Sequence, residues 1–182
     1  MWGSTQAYEY KDSRFYKAGT NTQIGTDGFA WTNYTEFGPY TGTSPDYGFT
    51  KYNSSGPTKL EPIDDAATIE WGSPWRMPTG GADGEFQKLN DNCTWTWKAT
   101  APKGYLVTGQ GEYAGISVFF PAAGYGSNTS LSNAGSYGTY WSSSLDAGDT
   151  DLACLLSFYS DDVTPQNRST RYYGFSVRPV SD

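Results

Sequence analysis

From Tyr105 onward the apolar positions come in short runs rich in β-branched and aromatic residues. Tyr105-Leu106-Val107-Thr108, Ile116-Ser117-Val118-Phe119-Phe120, Tyr137-Gly138-Thr139-Tyr140-Trp141, residues 152–159 and residues 172–180 are separated by Gly, Asn, Ser and Asp. These side chains suit a pleated, half-buried surface, so the runs predict strands. Within residues 152–159, a period of two turns Cys154, Leu156 and Phe158 toward a core and Leu155, Ser157 and Tyr159 outward. Two segments read differently. In residues 61–71 Pro62 comes early, acids fill the first turn, and Ile63, Ala66, Ala67 and Trp71 share one helical face, which predicts a short amphipathic helix. A second helix is expected over about residues 83–90, with Phe86 and Leu89 three apart behind the loop Gly80-Gly81. Residues 1–57 carry turn signals such as Thr26-Asp27-Gly28, Gly38-Pro39 and Ser55-Gly56-Pro57 without a helical period, so short strands and long loops are expected. The class is α+β with few helices, without an internal repeat or a clean interdomain linker.

Length supports one domain over residues 1–182, large enough to bury about 70% of its extended-chain surface. Composition then narrows the chemistry. The chain has no histidine, which removes Ser-His-Asp and Cys-His catalysis, His-ligated zinc and an imidazole acid or base. Two cysteines, Cys93 and Cys154, are too few for a four-thiolate zinc site or an iron–sulfur cluster. They leave open one disulfide or two buried thiols. A net charge of −7 with twelve scattered basic residues argues against a nucleic-acid partner, because such binders cluster Lys and Arg against phosphates. Met1-Trp2-Gly3-Ser4-Thr5 has no charged n-region ahead of an apolar stretch, so neither a signal peptide nor membrane insertion is expected of this chain.

Several motifs have a plain structural account. Residues 109–115 (Gly-Gln-Gly-Glu-Tyr-Ala-Gly) place the third glycine one position late for a dinucleotide loop and precede no helix, so a turn between strands is the better reading. Residues 146–151 (Asp-Ala-Gly-Asp-Thr-Asp) lack EF-hand spacing and its terminal Glu, which favours a solvated acidic loop over a calcium site. Glu61, Asp64, Asp65, Glu70, Asp161 and Asp162 do not declare a glycosidase pair by spacing, and Asp64 and Asp65 already suit a helix start. The sequons at Asn33, Asn53, Asn92, Asn128 and Asn167 are expected by chance in an Asn- and Thr-rich chain. Cys93, between tryptophans, reads as a small buried hydrophobe. Trp71, Trp75, Trp95, Trp97 and Trp141 read as core, with sugar stacking the minority alternative.

Five motifs then occur in a telling order. They are Trp71-Gly72-Ser73-Pro74-Trp75-Arg76-Met77-Pro78-Thr79, Asn92-Cys93-Thr94-Trp95-Thr96-Trp97, Phe120-Pro121-Ala122-Ala123-Gly124-Tyr125, Gly138-Thr139-Tyr140-Trp141-Ser142-Ser143-Ser144 and Gly174-Phe175-Ser176-Val177-Arg178-Pro179-Val180. Together they resemble the Fibrobacter succinogenes major paralogous domain of secreted and surface proteins of Bacteroidetes, from about Gly28 to the C-terminus. The resemblance implies a C-type lectin-like fold: a small, twisted, mostly antiparallel sheet with two short helices and long loops. Trp75, Trp95, Trp141 and Phe120 would be its framework. Residues 1–27 depart from the family's usual start, and residues 80–84 look like an insertion.

The segment from Leu145 to Val180 is similar to the C-terminal variable region of proteins diversified by diversity-generating retroelements. There, template adenines are copied with errors, and variable positions take residues whose codons end in a pyrimidine. Such codons exclude Lys, Glu, Gln, Met and Trp. Those types fill 27 of 182 positions, a share that places about five in residues 145–176, where Gln166 stands alone. The resemblance makes residues 145–176 a variable ligand-binding region. Its candidate contact residues are Asp149, Asp151, Leu155, Ser157, Tyr159, Asp162, Thr164, Arg168, Ser169, Thr170, Tyr172 and Tyr173. Tyr and Arg bring contact area and directed hydrogen bonds, while Ser, Thr and Asp bring adaptable polar contacts. Pro165, Gly174 and residues 177–180 read as fixed scaffold.

The expectation is a non-enzymatic ligand-binding or adhesin domain without cofactor, metal or catalytic residues. Its partner would be a protein or glycan receptor, and its place extracellular: a bacterial surface, a fimbria or a phage virion. The acidic surface favours neutral or basic partners. The Glu-Pro-Asn and Trp-Asn-Asp motifs of calcium-dependent lectins are absent. The alternatives are an undiversified surface module, or an oxidase like the formylglycine-generating enzymes, which share the broad fold but need a copper-site cysteine pair that Cys93 and Cys154 do not match.

Overall fold

The computed structural model describes residues 1–181. In chain order it contains β1 (Tyr8–Lys11), β2 (Arg14–Lys17), α1 (Ala66–Trp71), β3 (Trp75–Arg76), α2 (Glu85–Asn92), β4 (Cys93–Lys98), β5 (Gly104–Gly109) and β6 (Ser117–Pro121). It continues with β7 (Tyr125–Ser127), β8 (Ser130–Ser132), β9 (Gly138–Leu145), β10 (Leu152–Phe158), β11 (Val163–Thr170) and β12 (Val180–Ser181). The chain is thus a small α+β protein built of short antiparallel sheets with few helices. Instead of one sheet there are two three-stranded ones, β4-β5-β6 and β11-β10-β9, and three two-stranded ones, β1-β2, β7-β8 and β12-β3.

Local chemistry explains the boundaries. Asp12 and Ser13 both adopt positive φ between β1 and β2, the tight two-residue turn whose twist matches that of the paired strands. The first helix starts only at Ala66, because Asp65 caps it: its Oδ1 accepts from the backbone N–H of Ala67 at 2.9 Å and of Thr68 at 3.1 Å. The same carboxylate also accepts from the Met77 N–H, which ties the helix start to the segment after β3. The acids expected inside the helix are used elsewhere: Asp64 accepts from Lys51 Nζ and, at 2.6 Å, from the Tyr52 hydroxyl. Ile63 and Trp71, placed on a buried face by the sequence reading, are 70% and 54% exposed. Trp75 is also exposed, which corrects its reading as core and framework. The second helix begins two residues later than expected, after Gly84.

Three apolar clusters fill the interior. The first gathers Trp2, Tyr52, Leu60, Met77, Trp141 and Leu155. The second gathers Phe86, Tyr105, Val107, Phe120, Leu156 and Phe158, with Trp95 and Trp97 packed against it. The third is formed by residues before the first helix, among them Phe15, Ile24, Phe29, Tyr34 and Phe49. Strand β10 lies between β9 and β11 and sends Leu155 into the first cluster and Leu156 and Phe158 into the second. Both of its faces are therefore covered, and the expectation that Leu155 and Ser157 point to solvent is wrong: they are 1% and 3% exposed. Register shifts between Ala153 and Leu155 against β9, and between Leu155 and Ser157 against β11, further break the simple alternation.

Several β assignments also change: β3, β4, β7 and β8 lie where the sequence reading placed no strand. Val163–Thr170, read from sequence as a run beyond the strand, is β11 and pairs antiparallel with β10. Residues 172–179, read as strand, form none. This stretch runs beside the sheet on isolated bridges, Gly126 to Gly174 and Tyr140 to Ser176, with the Ser176 carbonyl accepting from the Trp141 N–H at 2.9 Å. Residues 109–115 behave as expected: a single 3₁₀ turn at Gly111–Tyr113 links β5 to β6.

Candidate functional site

The twelve candidate contact residues do not form one patch. Leu155 and Ser157 belong to the interior, where the Ser157 hydroxyl accepts from Asn167 Nδ2 at 2.7 Å. The other ten divide between the two ends of the β10–β11 hairpin. At its tip lie Tyr159, Asp162 and Thr164. Tyr159 is 45% exposed and stacks on Tyr137, with ring centroids 4.2 Å apart. Thr164 donates to Asp162 at 3.0 Å. Tyr159 also borders a shallow hollow of about 300 Å³ shared with Trp97, Lys103, Ser136 and Asp161.

The base of the hairpin holds Arg168, Ser169 and Thr170, followed by Tyr172 and Tyr173. The loop residues Asp149 and Asp151 lie beside it. Asp146 organises that loop: its Oδ1 accepts from the N–H groups of Gly148 at 3.0 Å and Asp149 at 2.9 Å. Its other oxygen faces Arg168 Nη1 at 3.4 Å. Thr150 donates to the Pro45 carbonyl, which docks the acidic loop onto residues 40–47. Among the described residues no group of three or more carboxylates and thiols is arranged to hold a metal ion.

Sequence reasoning missed the aromatic side of this region. Trp31 and Tyr40 stack with centroids 3.9 Å apart and planes 2° from parallel. Tyr47 continues the stack 5.8 Å from Tyr40, and Tyr172 meets Trp31 edge-on at 5.0 Å. Tyr172 also packs on Tyr173 at 4.5 Å. All five rings are partly exposed. The signal available in the sequence was the density of Trp and Tyr between positions 31 and 47, in a stretch that local pattern marks only as loop.

Electrostatics ties the carboxylates to this shelf of rings. Burial and the like charge of Asp149 push the Asp151 carboxyl up to about 6, with Arg171 pulling the other way. Burial, then the nearby Asp151 and Asp149, raises the Tyr40 phenol. Interaction with Asp149 raises that of Tyr47. The Tyr173 phenol is pushed up to about 12, first by its hydrogen bond with Tyr172 and then by burial.

Arg171, not among the twelve, anchors the whole region. It is fully buried, with its guanidinium 4.9 Å from the Trp2 ring centre and 4.3 Å from that of Phe49, a cation held on aromatic faces. One of its Nη atoms donates to the Tyr52 carbonyl. Its backbone accepts from the Trp2 N–H at 2.8 Å and donates to the Asp151 carbonyl at 3.1 Å. The acidic loop, the N-terminal segment and the end of β11 therefore meet at one residue.

Neither cysteine is activated as a nucleophile. Both are free. Burial raises the Cys93 thiol and, with Asp146 nearby, pushes Cys154 up to about 11, so neither is a thiolate nucleophile near neutral pH. A separate cavity of about 510 Å³, with Tyr8, Phe15, Phe29, Trp71, Tyr125 and Phe175 in its wall, contains none of the twelve residues. No helix among the described residues is long and apolar enough to cross a membrane.

Residues 91–180 match the model of a family described as a Domain of unknown function (DUF8237). The match begins at the end of α2, takes in both three-stranded sheets and ends at the start of β12, just under half of the chain. No curated protein and no solved structure matches the chain.

Proposed function

We propose that this protein is a non-enzymatic recognition domain of C-type lectin-like fold, whose C-terminal third presents contact residues diversified by a retroelement. It would act as an adhesin or receptor-binding module on a bacterial surface, a fimbrial tip or a phage virion. The observation that carries the reading is the shelf at the base of the β10–β11 hairpin. There Asp149, Asp151, Tyr172 and Tyr173 from the candidate segment stand beside the ring stack of Trp31, Tyr40 and Tyr47.

Partly exposed Tyr and Trp rings offer large contact area at low entropic cost, and adjoining Asp, Ser, Thr and Arg side chains offer directed polar contacts. They stand on a buried frame, Arg171 and strand β10, so side chains at the rim can change without disturbing the interior. The paired carboxylates favour a neutral or basic surface on a protein or glycan receptor. Cys93 on β4 and Cys154 on β10 belong to different sheets, a poor match to the cysteine pair that the oxidase alternative needs.

The coding DNA tests the diversification. Asp and Tyr codons always end in a pyrimidine, so the informative positions are Thr164, Arg168, Ser169 and Thr170. Pyrimidine endings at all four, with a near-identical template repeat differing at adenines and a reverse transcriptase gene nearby, are expected. Purine endings at two or more of them, or no such repeat, would overturn diversification. Recognition itself is tested on glycan and surface-protein arrays. Tyr40→Ala and Tyr172→Ala should abolish signals that the unaltered chain gives, and retention of every signal by both variants would overturn the assignment of the shelf.

A further inference from the structure

Away from the hairpin, α2 and the sheet β4-β5-β6 enclose a hollow of about 420 Å³, within the size range of small-molecule sites, about 300–1,000 Å³. Its wall is almost wholly apolar: Phe86 and Leu89 from α2, Val107 from β5, and Val118 and Phe120 from β6. At its border Ile116 is 67% and Tyr113 58% exposed. Large apolar side chains left open around an apolar hollow mark a binding surface more than ordinary surface does.

Three charged groups line the hollow. Glu85 is already satisfied, accepting from both Arg76 Nη atoms at 2.7 and 2.8 Å and from the Thr79 N–H at 2.8 Å. Lys88 and Arg178 are different: both are exposed, and neither has an ion-pair partner within 4.0 Å among the described residues. Arg178 lies 5.9 Å from the Phe120 ring centre, over the apolar floor. On a chain with 19 acidic and 12 basic residues, two uncompensated cations beside one greasy hollow call for an anion with an apolar body.

We propose that this hollow binds a medium-chain fatty acid, its alkyl chain against Phe86, Leu89, Val107 and Val118 and its carboxylate on Arg178 and Lys88. An alkyl chain removes the apolar wall from water. The planar guanidinium offers paired N–H donors that match a carboxylate, and the lysine adds a second positive charge. The site shares no residue with the recognition shelf and stands whether or not that reading holds. Cys93 lines the same hollow with a free thiol and serves as a built-in reporter.

The test uses sodium decanoate, 1-decanol and decyltrimethylammonium on the full chain. Binding is followed by calorimetry and by the rate at which N-ethylmaleimide alkylates each cysteine, resolved by peptide mass spectrometry. Decanoate should saturate at one per chain, bind about tenfold tighter than either comparison compound, and slow alkylation of Cys93 but not of Cys154. Arg178→Gln and Lys88→Gln, both surface substitutions, should weaken decanoate about tenfold together and leave 1-decanol unchanged. Absence of saturable decanoate binding, equal affinity for decanoate and 1-decanol, or equal protection of both cysteines would overturn the proposal. So would protection of Cys93 by raising protein concentration alone, which would assign the hollow to a second copy of the chain.

Discussion

Strands β4 and β10 meet at the second apolar cluster and bury themselves in opposite ways. Strand β4 is the edge of its sheet. It alternates without exception: Cys93, Trp95 and Trp97 are partly buried, while Thr94, Thr96 and Lys98 are exposed. Strand β10 is the centre of its sheet, with one apolar cluster on each face, and five of its seven residues are buried. A strand with one wet face can spend alternate positions on solubility or recognition. A strand covered on both faces has no such positions, so any contact surface must move to its ends and to its neighbours.

The sharpest test of this difference is Leu155 against Thr96. Leu155→Ala should cost about 2–5 kcal/mol, because a fully buried side chain leaves a cavity that the two flanking clusters fill only in part. Thr96→Ala should stay within about 0.5 kcal/mol. Urea unfolding of both variants decides it, and comparable losses would erase the distinction between the strands. The larger loss at Leu155 would mark it as a core position and not a contact position.

Crowding should be felt at β10 as well as loss of volume. Gly138 on β9 pairs with Phe158, and a Cβ placed there would lie 2.0 Å from the Phe158 ring. Gly138→Ala should therefore destabilise by about 1–3 kcal/mol, read as a drop in melting temperature, whereas Thr94→Ala on β4 should leave it nearly unchanged. A smaller effect is expected from a side-chain hydrogen bond of the covered strand. Asn167→Ala removes the donor to the Ser157 hydroxyl and should cost about 0.5–1.5 kcal/mol.

The smallest effect lies at the end of the hairpin and is electrostatic. Asp151, with its carboxyl raised to about 6, keeps a proton in the folded state over a range where the unfolded chain has lost it. Stability from this group is thus greatest in acid, declines as pH rises from the ordinary carboxylate range through about 6, and stays lower above it. Asp149→Asn removes the like charge and should bring the Asp151 titration down toward the ordinary carboxylate range in an NMR pH series. An unchanged midpoint would show that Asp149 is not the partner. Above pH 6 the ionised pair should also favour basic ligands on the shelf.

The strands at Gly104–Gly109, Ser117–Pro121, Gly138–Leu145 and Leu152–Phe158 were legible, as was the second helix, because β-branched and aromatic runs and a Phe-Leu spacing are local facts. The strand at Val163–Thr170 was not. Its Thr, Gln, Asn, Arg and Ser content looks like loop, and only pairing with β10 makes it strand. The reverse holds for residues 172–179, whose aromatic content looks like strand while Gly174 and Ser176 meet different neighbours in isolated bridges. At the shelf, the sequence pointed to Asp149, Asp151, Tyr172 and Tyr173. It had no means of placing Trp31, Tyr40 and Tyr47 beside residues more than a hundred positions away.

The sequence by itself determined the class of the protein, its want of imidazole chemistry, its acidic charge and the second helix, since each rests on composition or on contacts within a few residues. Only the tertiary structure decided which strand has two dry faces, why Arg171 is buried where Arg168 is not, and where the cations Lys88 and Arg178 meet an apolar hollow. Those outcomes depend on what packs against a residue from elsewhere in the chain, and hydrophobic burial, being non-directional, leaves no mark of its partner in the local pattern.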